Sequence, residues 1–212
     1  MSKEGKLIIF SGFSGAGKGT VMKGLLDKYP DDFCLSISAT TRAPRNGEQE
    51  GISYFFKTQE EFKKMIAEDA FLEYAEYVEN YYGTPKEFVF NKLDEGKNVI
   101  LEIEMQGAMK VKNKYPDTML LFLLPPSIDI LSDRLVNRGT DDSDTIRKRL
   151  FQAKKEAAKM DTYEYFIIND NLEECIEDVY NLAHGHEAKN HADKQFLNEI
   201  REGLDRFLKG EI

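Results

Sequence analysis

The segment Ile8–Thr20, IIFSGFSGAGKGT, places three glycines and a lysine directly after an apolar run. Apolar residues continue at helical spacing from Val21 to Tyr29, so the order predicts a strand, a tight turn and a helix. In such a turn, glycines let consecutive backbone N–H groups point at a phosphate. The helix N-terminus adds positive charge, and a lysine reaches the β- and γ-phosphates. The stretch therefore predicts a phosphate-binding loop.

The loop departs from the strict phosphate-loop pattern in one place. Gly12, Gly17 and Lys18 have the required spacing, but Gly19 stands where the pattern has Ser or Thr. A hydroxyl comes one step later, on Thr20. We expect the backbone and Lys18 to bind phosphate in the usual way, with Thr20 as the nearest side-chain oxygen.

Length and charge restrict the classes of protein. The chain has 212 residues and a net charge of -9, which suits one domain and disfavours binding of nucleic acid or anionic lipid through overall charge. No run approaches the roughly 20 apolar residues of a membrane span, and the apolar stretch before Gly12 is too short for a signal peptide. We therefore expect a cytoplasmic protein without nucleic-acid or membrane partners, and we find no sign of a protein partner.

The order of elements predicts an α/β fold. After the first helix, short strand-like pieces surround a helical stretch at 59–68, which indicates an inserted lobe of mixed strands. The second half alternates regularly, and such alternation favours a parallel sheet covered by helices. Its predicted strands and helices are Asn98–Glu102, Gln106–Lys114, Met119–Leu124, Ile128–Val136, Thr145–Met160, Tyr165–Ile168 and Leu172–Ala183, followed by an outer helix, Phe196–Leu208.

A regulatory GTPase is one alternative, because Asn91–Asp94, NKLD, resembles the guanine-reading motif of that class. However, Asp-x-x-Gly, the pattern that senses the γ-phosphate in such switches, occurs nowhere in the sequence. The spacing of Phe88, Asn91 and Asp94 also predicts an amphipathic helix ending at Gly96. We therefore interpret this segment as a helix.

The inserted lobe carries a second set of phosphate- and base-binding candidates. Arg42 and Arg45 flank Pro44, which stiffens the segment and could direct both guanidinium groups at one anion. Glu73 offers a carboxylate to the donor groups of a base edge, and the segment Tyr82–Thr84 adds hydroxyls and an aromatic face.

Five segments together resemble the guanylate kinase family: GFSGAGKGT, SATTRAPRNGE, FLEYAEYVENYYGTP, LEIEMQGA and NRGTD. They occur in the family's order and approximate spacing, from about residue 7 to 182. The resemblance implies a single domain with a core (1–37 and 86–212), a GMP-binding lobe (about 38–85) and a small helical lid (about 137–150). It also implies transfer of the γ-phosphoryl group of MgATP to GMP, and to dGMP, giving the nucleoside diphosphate and ADP.

The resemblance implies a role for each matching residue. The predicted GMP-binding residues are Ser38, Arg42, Arg45, Tyr54, Glu73, Tyr82, Thr84, Glu102 and Glu104. The predicted ATP-binding residues are Ser14, Gly15, Ala16, Gly17, Lys18, Gly19, Thr20, Arg134, Arg138 and Asn169. The predicted catalytic residues are Lys18, Arg42, Arg134, Arg138 and Arg149, and Mg²⁺ would be bound by Thr20, directly or through water.

Two residues depart from the family pattern. Phe13 stands where proline is common, and we expect this to alter the stiffness of the loop more than its chemistry. Glu104 replaces a usual aspartate and adds a methylene group beside the GMP site. A domain that binds partners without catalysis remains an alternative, as does an adenylate or uridylate kinase. The Glu73 carboxylate disfavours those two kinases, because adenine presents an acceptor at N1.

Overall fold

The computed structural model describes residues 5–137 and 142–210. Its strands, in chain order, are β1 (Leu7–Gly12), β2 (Phe33–Leu35), β3 (Ala39–Thr40), β4 (Phe55–Phe56), β5 (Phe71–Tyr77), β6 (Asn80–Pro85), β7 (Asn98–Leu101), β8 (Met119–Leu124) and β9 (Tyr165–Ile168). Its helices are α1 (Lys18–Lys28), α2 (Gln59–Ala67), α3 (Lys86–Asp94), α4 (Met105–Lys114), α5 (Ile128–Val136), α6 (Ser143–Ala157), α7 (Leu172–Ala183) and α8 (Lys194–Lys209), with a 3₁₀ turn at Met160–Thr162.

The chain divides into two compact units. The first unit comprises Met1–Ile9 and Pro30–Met119, and the second comprises Phe10–Tyr29 and Leu120–Ile212. A parallel sheet has the strand order β2-β7-β1-β8-β9. All six residues of β8 are buried, as expected for a parallel strand covered on both faces. The predicted α/β fold with a parallel sheet is confirmed.

A smaller mixed sheet lies in the first unit, with the order β4-β3-β6-β5. Strand β3 pairs in parallel with β4 and antiparallel with β6, which forms a hairpin with β5. Its buried core consists of Ala39, Phe62 and Phe71. Helix α2 supplies Phe62 and begins with a capping box in which Thr58 and Glu61 each bind the other's backbone N–H. This sheet corresponds to the predicted lobe of mixed strands, whose bounds stay a prediction.

The helix interpretation of NKLD is confirmed, since Asn91–Asp94 forms the end of α3 and Gly96 follows in a left-handed conformation. The predicted helix Thr145–Met160 would have Asp144 as its cap, but α6 begins two residues earlier, at Ser143. The capping residue is Asp142, whose Oδ1 accepts a hydrogen bond from the Thr145 N–H at 2.7 Å. Among the described residues, no helix is both long enough and apolar enough to span a bilayer.

Candidate functional site

The loop between β1 and α1 takes its shape from three glycines. Gly12, Gly15 and Gly17 all have positive φ angles, of 153°, 96° and 98°. A Cβ atom at Gly12 would lie 2.5 Å from the carbonyl oxygen of Leu123, and one at Gly17 would collide with the amide of Asn169. Side chains are therefore excluded at these positions both by backbone conformation and by lack of space.

Buried side chains and two polar groups hold this loop in place. Phe13 is fully buried and packs edge-on against Phe122, with ring centroids 5.1 Å apart. The carbonyl oxygen of Ala16 accepts hydrogen bonds from Asn169 Nδ2 at 2.7 Å and from Arg134 at 3.4 Å. Arg134 also donates to the carbonyl oxygen of Asn169 at 2.9 Å. Phe13, one of the two residues that differ from the family pattern, thus anchors the loop to the core of the second unit.

Cationic side chains surround the same loop. Lys18 Nζ donates to the carbonyl oxygens of Gly12 at 2.5 Å and Phe13 at 3.1 Å. Arg149 donates to Ser14 Oγ at 2.7 Å. Together with Arg134, these groups place three positive charges beside backbone N–H groups at a helix N-terminus, which is an anion-binding arrangement.

The structure therefore brings together most of the residues predicted to bind ATP. Gly19 and Thr20 are exposed in the first turn of α1, with the Thr20 side chain open to solvent. Arg138, the remaining predicted residue of this set, lies outside the described residues.

A second cluster lies in the first unit, around Arg42. Its guanidinium group donates to Glu48 Oε1 at 2.8 Å and to the carbonyl oxygen of Ala43 at 2.8 Å. The Arg42 Cζ atom lies 5.4 Å from the ring centroid of Tyr54, whose ring meets the edge of Tyr82 at 6.2 Å between centroids. The pKa of Arg42 is raised, chiefly by its hydrogen bond to Glu48. Arg42, Tyr54 and Tyr82, three of the residues predicted to bind GMP, are thus neighbours.

Glu73 and Thr84 form the second part of this cluster. Glu73 Oε1 accepts a hydrogen bond from Thr84 Oγ1 at 2.9 Å. Burial raises the pKa of the Glu73 carboxyl group, although the Thr84 hydrogen bond opposes that effect. Ser38 directly precedes Ala39, whose partner across the strands is Gly83, the neighbour of Thr84. Glu73 and Thr84 therefore lie on neighbouring strands of this sheet, and Ser38 lies directly before the strand that pairs with β6.

Three further residues predicted to bind GMP are exposed in the first unit. Arg45 is exposed, and its backbone N–H, rather than its guanidinium group, binds Glu48. Glu102 and Glu104 are exposed between β7 and α4, and Glu104 occupies the N-cap position of α4. That position gives the longer side chain of Glu104 room to extend into solvent.

Two residues of this cluster were not predicted from the sequence. Glu48 binds Arg42, and the segment RNGE at 45–48, which favours a tight turn, could have indicated that contact. Gly107 lies so close to Glu73 that a Cβ atom there would be 3.0 Å from Glu73 Oε2. No sequence signal connects positions 73 and 107, since the contact joins β5 to the first turn of α4.

The fold and the glycine-rich loop define a nucleotide-binding α/β protein of the phosphate-loop class. Within this class, the family model described as guanylate kinase matches residues 4–184. A guanylate kinase of Caldanaerobacter subterraneus subsp. tengcongensis is 48% identical over 202 residues, covering 95% of this chain and 98% of its own length. The chain belongs to the guanylate kinase family, which confirms the predicted resemblance.

Two further relatives agree with this assignment. A guanylate kinase of Streptococcus pneumoniae (strain ATCC BAA-255 / R6) is 51% identical over 179 residues, covering 84% of this chain and 86% of its own length. The crystal structure of guanylate kinase from Anaplasma phagocytophilum matches with a TM-score of 0.65 and 28% identity, covering 97% of each chain.

Proposed function

We propose that the loop cluster of the second unit binds ATP and that the cluster around Arg42 and Glu73 binds GMP. As a member of the guanylate kinase family, the chain is an ATP:GMP phosphotransferase that forms ADP and GDP. The observation that carries the residue assignment is the Glu73–Thr84 pair, a half-buried carboxylate and a buried hydroxyl joined at 2.9 Å.

This pair suits the edge of guanine. The N1–H and N2–H₂ groups of guanine form two adjacent donors, and one carboxylate can accept hydrogen bonds from both. Adenine presents an acceptor at N1, which would face the carboxylate with repulsion. A polar mismatch of this kind discriminates by factors of about 10⁴ or more. We assign Ser38, Glu73 and Thr84 to the base, and Arg42, Arg45, Tyr54 and Tyr82 to the acceptor phosphate, with Glu102 and Glu104 beneath.

The loop cluster of the second unit supplies positive charge beside the phosphoryl group that is transferred. This reaction depends on in-line alignment and on neutralising charge at the transferring group, more than on covalent help from the protein. Lys18 and the loop N–H groups hold the β- and γ-phosphates of ATP. Arg134, Arg138 and Arg149 stabilise the transferring group, and Asn169 lies toward the adenosine end.

Magnesium is the metal that this chemistry generally uses. Mg²⁺ supplies charge neutralisation between two phosphates and takes oxygen ligands, usually with several waters retained. The exposed hydroxyl of Thr20, two residues after Lys18, offers such an oxygen and fits this role. We also propose that the chain acts in the cytoplasm and comprises the predicted core, GMP-binding lobe and lid.

A coupled ADP-release assay tests the assignment. The protein is mixed with MgATP and, separately, with GMP, dGMP, AMP, UMP and CMP, and Lys18→Ala serves as the catalytic control. We expect turnover with GMP, weaker turnover with dGMP, and loss in the variant. Preference for AMP would overturn the assignment of Glu73 to guanine. Binding of GMP without turnover of any monophosphate would instead indicate a recognition domain.

A further inference from the structure

Glu48, which is not among the residues predicted to bind GMP, lies at the centre of the contacts that organise Arg42. Its Oε1 accepts from the Arg42 guanidinium at 2.8 Å, and its Oε2 accepts from the Arg45 backbone N–H at 2.7 Å. Its own backbone N–H donates to the carbonyl oxygen of Arg45 at 3.1 Å, and Gly47 adopts φ 87° within this turn. One carboxylate therefore joins the two arginine positions assigned to the acceptor phosphate.

The Arg42–Glu48 pair is shielded compared with ordinary surface ion pairs. The Arg42 and Glu48 side chains are 15% and 21% exposed, whereas the Lys28–Glu173 pair is 41% and 73% exposed. The pKa of Glu48 is lowered, chiefly by the hydrogen bond from Arg42 and then by the one from the Arg45 N–H. The carboxylate is therefore held in its charged form, which binds guanidinium more strongly than a neutral acceptor does.

These contacts fix the guanidinium group from several directions. One nitrogen binds Glu48, another binds the Ala43 carbonyl oxygen, and the Cζ atom lies over the Tyr54 ring at 5.4 Å from its centroid. An arginine side chain otherwise loses much rotamer freedom when it binds an anion. A guanidinium that is already oriented loses less, so it binds the incoming phosphate more tightly.

We propose that Glu48 is a positioning residue of the acceptor-phosphate subsite, acting through Arg42 and the Arg45 N–H. The proposal rests on the assignment of Arg42 to the GMP phosphate. It gives Glu48 no contact with the base and no part in ATP binding. Removal of Glu48 therefore weakens binding of the phosphate of GMP and leaves guanine recognition and ATP binding unchanged.

Steady-state kinetics of Glu48→Ala and Glu48→Gln test the proposal. We expect Glu48→Ala to raise the KM for GMP about 10-fold, because a charge-assisted hydrogen bond is lost. The KM for ATP should stay within about twofold, and Glu48→Gln, which keeps an acceptor oxygen, should recover part of the loss. Guanosine lacks the phosphate, so its inhibition constant should be the same for both variants and for the original chain.

Glu50→Ala is the matched control, because Glu50 lies in the same segment and accepts from the Phe56 N–H at 2.8 Å without contacting Arg42. If Glu48 only maintained the fold of the segment, both substitutions would raise the KM for GMP and the inhibition constant of guanosine alike. Thermal unfolding of each variant checks the fold, and Glu48→Gln replaces Glu48→Ala where the latter unfolds.

A double-substitution cycle completes the test. In an Arg42→Ala background, the Glu48→Ala substitution should have no further effect on the KM for GMP. An equal effect with and without Arg42, or tighter GMP binding after loss of the carboxylate, would overturn the proposal. Absence of GMP turnover in the original chain would instead contradict the function itself, so the two failures are distinguishable.

Discussion

The phosphate loop between Gly12 and Lys18 is shaped by backbone, whereas the segment from Arg42 to Glu48 is organised by side chains. In the loop, positive φ angles and buried Phe13 fix the chain, and the Ala16 carbonyl is tied down by Asn169. A change at one position therefore displaces several N–H groups at once.

The cluster around Arg42 and Glu73, which we call the acceptor cluster, is built on much shorter secondary-structure elements. Strands β3 and β4 have two residues each, and Arg42 lies two residues beyond the end of β3. Its orientation comes from separate contacts with Glu48, Ala43 and Tyr54. The contacts with the Glu48 and Tyr54 side chains can each be removed by one substitution. We therefore expect large effects on catalysis from the loop and graded effects on GMP binding from the acceptor cluster.

The largest effect should follow loss of the loop lysine. Lys18→Ala removes the charge that stabilises the transferring phosphoryl group, and kcat/KM should fall about 10³-fold. Lys23→Ala, on the exposed side of the same helix, is the control and should leave the rate unchanged. The coupled assay measures both, and a fall of less than tenfold for Lys18→Ala would contradict the assigned role.

Loop shape should matter nearly as much as loop charge. Gly17→Ala forces a side chain into a left-handed conformation against the Asn169 amide, and kcat/KM for ATP should fall on the order of 10²-fold. A Cβ at Gly19 meets no atom within 4 Å, so Gly19→Ala should change the rate by about twofold at most. Similar losses in the two variants would show that the backbone shape of the loop is not decisive.

Base recognition offers a comparison within the acceptor cluster. Glu73→Gln replaces one acceptor by a donor that faces the guanine N–H groups, and kcat/KM for GMP should fall about 100-fold. The rate with AMP should not fall. Glu76→Gln, an exposed carboxylate on the same strand, is the control. An equal fall with GMP and AMP would place Glu73 outside base recognition.

Glu73 should also destabilise the protein without nucleotide. Because burial raises its folded pKa above the unfolded value, the charged form costs stability as the pH rises through the folded pKa. Glu73→Gln should therefore raise the Tm by about 2 °C at pH 7.5. The difference should close as the pH falls below the ordinary pKa of a glutamate side chain, and calorimetry above and below that pKa checks this. A constant difference would mean that ionisation is not its cause.

The smallest effects should come from the helix caps of the two units. Thr58 caps α2 in the first unit, and Ser127 caps α5, which carries Arg134, in the second. Replacing either by Ala should lower the free energy of unfolding by about 1 kcal/mol in urea titrations. Thr58→Ala should raise only the KM for GMP, and Ser127→Ala only the KM for ATP. The reverse pattern would contradict the assignment of the two sites.

The sequence predicted some elements to the residue, including Met119–Leu124, Ile128–Val136 and Leu172–Ala183. These segments have a strong period or a continuous apolar run, and Ser127 and Asn171 mark the helix starts. The phosphate loop was predictable because its glycine spacing follows from local geometry.

The contacts that complete the two sites were not predictable in the same way. A strand of two residues is too short to show an alternation of apolar and polar residues, so the sequence does not predict β3. The contact of Arg134 with the Ala16 carbonyl spans 118 positions, and nothing local in either segment indicates it. The choice of Asp142 over Asp144 as a helix cap depends on which carboxylate reaches a free N–H, and both lie within three residues of Thr145.

Phe13 has a consequence for how this sequence can change over generations. Its ring fills space against Phe122, so a direct exchange to the proline common at this position would leave a void in the core. Losing a buried phenylalanine side chain typically costs about 3–5 kcal/mol, a large part of the stability of a small domain. Positions 13 and 122 are therefore expected to change together in descendants of this chain. A larger side chain at position 122 should arise first, because it would fill the space that Phe13 leaves.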